Sequence, residues 1–167
     1  MMDQPPRPDL VVQLVSTDAD LDAVAALEAR CFTNPWTRDM LASELASSST
    51  ARVYVARLQE APVAGFCACW FVADELHVNT MVIDFPFRRQ RLGRFLMQTV
   101  MLEAARHGAV RATLEVRESN EAARKLYEGL GFTVTARRPR YYAHPEEDAL
   151  ILWHEGLGKL DGALLKG

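Results

Sequence analysis

The spacing of apolar positions changes period several times along the chain, and each change marks an element. Leu10 to Val15 is a short apolar run that reads as a first strand. Thr17-x-x-Asp20 has the form of a capping box, and Leu21, Val24, Leu27 and Cys31 follow at helical spacing. Asn34-Pro35-Trp36 breaks that helix, and Thr37 caps a second one through about Leu45. Ser47 to Thr50 is polar loop. Val53 to Leu58 and Val63 to Ala73 alternate as a hairpin joined by Gln59-Glu60-Ala61-Pro62, and Glu75 to Ile83 is a further strand. Leu92 to His107 is a helix ended by Gly108, with Leu92, Phe95, Leu96 and Thr99 on one face. Arg111 to Val116 reads as a buried strand, and Asn120 to Leu130 as a helix with Gly131 just beyond. Phe132 to Ala136 and Ala149 to Trp153 are two closing strands.

The order is therefore β-α-α-β-β-β-α-β-α-β-β. Helices separate some strands and not others, so the predicted class is α/β (α+β): a mixed, mostly antiparallel sheet of about seven strands with about four flanking helices. Glu75–Ile83 and Arg111–Val116 each feed a covering helix. Right-handed crossovers make such strands parallel neighbours.

Composition narrows the picture. At 167 residues, without an internal repeat or linker, residues 1–167 are expected to form one domain. Met-Met-Asp-Gln-Pro-Pro-Arg-Pro has no apolar signal core, so residues 1–8 are expected to be a flexible terminus. No apolar run approaches the roughly 20 residues needed to span a bilayer, and no membrane association is expected. A net charge of −3 gives no general affinity for polyanions, so no nucleic-acid partner is expected either. The three cysteines, Cys31, Cys67 and Cys69, are an odd number and point to a reducing cytoplasm. Cys67 and Cys69 share one face of a strand, with no second pair and no nearby histidine, and read as small core residues. His77, His107, His144 and His154 lack metal-ligand spacing and receive no catalytic role; no metal is expected.

Against that acidic balance, Phe87-Arg88-Arg89-Gln90-Arg91-Leu92-Gly93-Arg94-Phe95-Leu96 is a local exception. A basic turn that opens a helix is either a solvated loop or an anion site, since the first N–H groups of a helix lack internal partners and carry partial positive charge. Arg88, Arg89, Arg91 and Arg94 could face a di- or triphosphate there. Glu115 lies inside the apolar strand Thr113-Leu114-Glu115-Val116, and a carboxylate there requires a reason. It is either a candidate general base or the ion-pair partner of Arg111 or Arg117. Glu75 is either a helper acting through water or a strand-end surface charge. Tyr127 is a candidate acid or a core aromatic. Asn120 stands where it can cap the helix that carries Tyr127.

Four segments taken together resemble the GNAT superfamily of acetyl-CoA-dependent N-acetyltransferases, and within it the RimI-type protein N-terminal (alanine) acetyltransferases. They are Glu75–Asp84 leading into Arg88–Arg94; Thr113-Leu-Glu-Val-Arg-Glu-Ser-Asn120 leading into Ala122–Phe132; Asn34-Pro-Trp-Thr37; and Arg140-Tyr-Tyr142 with Glu147-Asp-Ala149. The resemblance runs from about Leu10 to Trp153. It implies a GNAT fold with a splayed parallel pair, acetyl-CoA as co-substrate, and a protein N-terminus as acceptor, above all the N-terminal alanine of a small-subunit ribosomal protein. It also implies that Glu115 accepts the amine's proton and that Tyr127 protonates the leaving sulfur. Met81, Val82 and Ile83 would offer backbone groups to pantetheine, with Asn120 touching the same arm. Arg89, Gln90, Arg91, Leu92, Gly93 and Arg94 would surround the pyrophosphate. Trp36, Tyr141 and Tyr142 would enclose the acceptor, and Glu146, Glu147 and Asp148 would either complement a basic tail or be surface charge. One departure stands out: the family's loop carries Gly where this chain has Arg91. The remaining readings are a GNAT acetylating a small-molecule amine and a non-catalytic CoA-binding module. A cytoplasmic monomer is expected.

Overall fold

The structure, a computed structural model, describes residues 4–160. The predicted elements occur in the predicted order: β1 Val11–Leu14, α1 Asp18–Cys31, α2 Arg38–Ser47, β2 Ala51–Leu58, β3 Ala61–Val72, β4 Glu75–Ile83, α3 Leu92–Arg106, β5 Arg111–Arg117, α4 Glu121–Gly129, β6 Thr133–Tyr142 and β7 Glu147–Glu155. A single 3-10 turn, Phe85–Phe87, was not foreseen. Of the terminus expected to be flexible, residues 1–3 lie outside the described residues; within them, Arg7 bridges Asp9 and Glu60 at 3.0 and 2.7 Å.

Local chemistry sets the helix starts. Thr17 and Asp20 form the capping box in full, and Thr37 accepts from the Met40 N–H. The carboxylate of Asp20 does a second task. It meets Arg57 of β2 at 2.6 Å and so fastens the start of α1 to the sheet. Asn120 caps α4, its Oδ1 accepting from Ala123 N–H at 3.1 Å.

The seven strands form one sheet in the order β1-β2-β3-β4-β5-β7-β6, in which only β4 and β5 run parallel. Side chains alternate across it. Val53, Val55 and Phe66 enter a core under α1 and α2, while Tyr54, Ala56 and Cys67 enter a larger one under α3. Cys67 and Cys69 are buried core residues, as their spacing predicts. Among the described residues, no helix is long and apolar enough to cross a membrane.

Two boundaries depart from the sequence reading. The β2–β3 turn is only Gln59-Glu60, with Ala61 and Pro62 already in the strand. β6 runs six residues past Ala136, through Arg-Arg-Pro-Arg-Tyr-Tyr. That stretch is polar and holds a proline, which sequence periodicity reads as loop. It is an outer strand, where both are tolerated.

The parallel pair determines where a site can form. β4 and β5 pair only from Glu75↔Arg111 to Val78↔Leu114. Asn79 is then bulged out of the β3–β4 ladder, β4 continues along β3 to Ile83, and β5 follows β7 to Arg117. The two strands part at their C-terminal ends.

Candidate active site

The parting exposes one edge of β4. Asp84 N–H donates to the Ala64 carbonyl at 2.8 Å. By the alternation of an antiparallel ladder, Val82 and Thr80 also bond toward β3, and the N–H and C=O of Met81 and Ile83 point into the gap. The Ile83 carbonyl accepts from Arg88 Nε at 2.8 Å.

Below the gap the chain turns sharply into α3. Arg89 and Arg91 both hold left-handed conformations, with φ of 62° and 64°. Arg91 is the N-cap residue of α3, and its side chain does not cap the helix. Arg91 thus adopts a conformation that glycine holds without strain. Gly93 lies against the sheet: a Cβ there would stand 3.4 Å from Ile83 Cγ1 and 3.6 Å from Leu126 Cδ2, so little more than a methyl group fits. Arg88 and Arg94 have local partners. Arg88 turns back onto β4 and over the Phe85 ring at 5.6 Å. Arg94 donates to the Gly129 carbonyl at 3.2 Å, where the C-terminus of α4 favours a cation. Gln90 bonds the Pro86 carbonyl.

On β5, Ala112, Leu114 and Val116 enter the α3 core, so Thr113 and Glu115 project to the opposite face. There they line a cavity of about 460 Å³ together with Trp36, Asn79, Tyr141 and Tyr142. Neither expected ion-pair partner reaches Glu115. Arg111 pairs with Glu75 and lies 5.0 Å over the Trp153 ring, and Arg117 pairs with Glu147 and covers Tyr142 at 4.3 Å. The partner is Arg138 of β6, at 3.0 Å. Tyr141 adds a hydrogen bond to the same carboxylate, and that bond raises the Tyr141 phenol. The register of β6 shifts between Arg138 and Tyr142, and Arg140 is left-handed at φ 51°, so both residues can turn toward Glu115. Tyr142 packs edge-on against Tyr141 at 5.1 Å; burial first, then Glu115, pushes its phenol up to about 12. Glu147 and Asp148 are held within this region by Arg117, Arg137 and the Ser119 N–H, and Glu146 faces Arg140 at 3.6 Å.

Tyr127 approaches from the other face. It belongs to the α3 core, packs edge-on against Phe132 at 5.8 Å and is not among the cavity's lining residues. Burial pushes its phenol well up, with Cys67 and Tyr142 adding to the shift, so it keeps its proton at neutral pH. Carboxylate and phenol therefore lie on opposite faces of the sheet.

Three further polar residues of the cavity were given no role by the sequence reading. Glu28 is buried, and burial raises its carboxyl against the Trp36 N–H that bonds it. It stands four residues after Val24, on the buried face of α1, and that position was a legible signal. Glu44 accepts from Trp70 Nε1 at 2.9 Å. His77 also lines the wall.

The sheet thus splits above a left-handed basic turn that opens a helix, with Glu115 on one face of the sheet and Tyr127 on the other. The chain matches the Acetyltransferase (GNAT) family over residues 21–132 and belongs to it. It is 33% identical over 135 residues to the [ribosomal protein bS18]-alanine N-acetyltransferase of Escherichia coli K12, covering 80% of this chain and 89% of that one. A Bacillus subtilis strain 168 protein that carries the same name provisionally is 36% identical over 134 residues, covering 80% and 88%. The crystal structure of the E. coli ribosomal-protein-S18-alanine N-acetyltransferase superposes with a TM-score of 0.78 at 30% identity, covering 87% of this chain and 93% of that one.

Proposed function

We propose that this acetyltransferase moves the acetyl group of acetyl-CoA to the α-amine of a protein that begins with alanine, and that this protein is the cytoplasmic ribosomal protein bS18 or its counterpart. The observation that carries the reading is the agreement of two relatives named for that reaction, each matched over nearly its whole length.

The residues present suit acetyl-CoA. The edge at Met81 and the Ile83 N–H offers pantetheine a strand to pair with, and Val82 holds that edge against β3. Asn120 stands beside it at the start of α4. The N–H groups of the turn from Arg89 and Gln90 to Arg94 suit a pyrophosphate, with Arg91, Leu92 and Gly93 at its centre. Arg91 serves through its backbone. Trp36, Tyr141 and Tyr142 wall the cavity in which the acceptor's first residue sits.

An α-amine has an ordinary pKa near 8, against about 10.4 for lysine, so a carboxylate suffices to take its proton. Glu115 is that base. The nitrogen attacks the acetyl carbonyl carbon through the gap, the carbon–sulfur bond breaks, and the sulfur takes the Tyr127 proton. An N–H at the Met81–Ile83 edge polarises the carbonyl. A panel of short peptides differing only in the first residue, run beside polyamines and free amino acids, tests the assignment by mass spectrometry. Alanine-first peptides should be acetylated fastest. Faster turnover of a small amine would refute it.

A further inference from the structure

The acceptor cavity holds a histidine that the chemistry above leaves unused. His77 pairs with Thr113 in the parallel register, so its side chain lies on the face that carries Thr113 and Glu115. Strand spacing puts it about 8 Å from Glu115, a gap that one or two waters fill. The cavity of about 460 Å³ has room for them, and the Thr113 hydroxyl between the two donates to the Leu152 carbonyl, leaving its oxygen to accept from water. His77 Nε2 lies 2.6 Å from Glu75 Oε2, and Glu75 is itself held by Arg111. The hydrogen bond from His77, followed by the charge of Arg111, lowers the Glu75 carboxyl and keeps it ionised. An ionised carboxylate fixes the Nε2–H tautomer and leaves Nδ1 as a proton acceptor. The His77 side chain is 35% exposed and lines the cavity.

We infer that His77, oriented by Glu75, is the proton exit of the acceptor site, passing the acceptor's surplus proton from Glu115 through water to bulk solvent. The inference rests on the reading of Glu115 as base. The stoichiometry requires such an exit. An acceptor that arrives as an α-ammonium loses two protons on becoming an amide, the departing sulfur takes up one, and one leaves the enzyme in every turnover. Glu115 is held by Arg138 at 3.0 Å and by Tyr141, and the wall of the same cavity offers His77 as the next proton acceptor. Glu75 with Arg111 and Glu115 with Arg138 flank the path, and Glu28, Glu44 and Arg52 line the same cavity.

The test is the steady-state turnover of an alanine-first peptide with saturating acetyl-CoA, in dilute non-imidazole buffer. His77→Ala should slow transfer by about tenfold, less than the 10²–10⁴ typical of a base itself. Added imidazole should restore it, and the peptide KM should stay unchanged. His77→Gln, which keeps a polar side chain, should be equally slow. Glu115→Gln should be slower still and indifferent to imidazole. A His77→Ala enzyme at the wild-type rate overturns the relay while leaving the base assignment standing. So does a loss that appears in KM or resists imidazole. A Glu115→Gln enzyme at the wild-type rate would instead remove the base on which the relay depends.

Discussion

Arg91 shows how one residue can look wrong in a motif and still keep the motif's geometry. At φ 64° it sits where a side chain costs roughly 1–2 kcal/mol, while glycine would cost about 0.5–1 kcal/mol more backbone entropy on folding. Arg91→Gly should therefore raise stability by up to about 1 kcal/mol and leave acetyl-CoA affinity equal or tighter, read by denaturant unfolding and calorimetry. A clear loss of affinity in the folded variant would show that the side chain, and not the backbone, serves the phosphate. Glu115 was legible because a carboxylate in an apolar strand is costly, but its partner was not: Arg138 lies in a stretch without strand periodicity. His77 was illegible because a lone histidine on a strand is uninformative until its cross-strand neighbour is known.

At the scale of elements, the start of α1 carries a pH-dependent clamp. Burial raises the Asp20 carboxyl, but the hydrogen bond from Arg57, the Ser16 N–H, the Arg57 charge and the Thr17 N–H outweigh it and hold the group at about 2. The ordinary value is 3.8, so the folded state binds this proton more weakly than the unfolded chain. The stabilisation is then fully present above pH ~4 and is lost as pH falls toward ~2; the shift corresponds to about 2 kcal/mol. Asp20→Asn should cost about that much at pH 6 and about half as much at pH 3, by urea unfolding. Equal costs at both pH values would mean the clamp is not electrostatic. The capping box itself was plain in Thr17-x-x-Asp20, because it is a local pattern. The link to β2 was not, since Arg57 is 37 residues away. β6 was cut short for a similar reason. Its outer half is held by Arg137 with Glu118 and Asp148, contacts between segments that only the fold brings together.

Across the whole molecule, topology places the chemistry. The β4–α3–β5 crossover makes two strands parallel neighbours, and this followed from the element order alone. Where they separate did not, because it depends on the Asn79 bulge and on β5 holding to β7 along its full length. The separation leaves Glu115 on one face of the sheet and Tyr127 on the other, the two groups to which we assign the roles of base and acid. The most direct test compares an alanine-first peptide that contains one lysine with the same peptide blocked at its α-amine. Both are incubated with acetyl-CoA and the wild-type or Glu115→Gln enzyme, and the acetyl group is located by tandem mass spectrometry. The wild type should acetylate the α-nitrogen of the free peptide and leave the blocked twin untouched, and Glu115→Gln should be slower by about 10²–10⁴-fold. Acetylation of the lysine at a comparable rate, or a Glu115→Gln enzyme as fast as the wild type, would contradict the account.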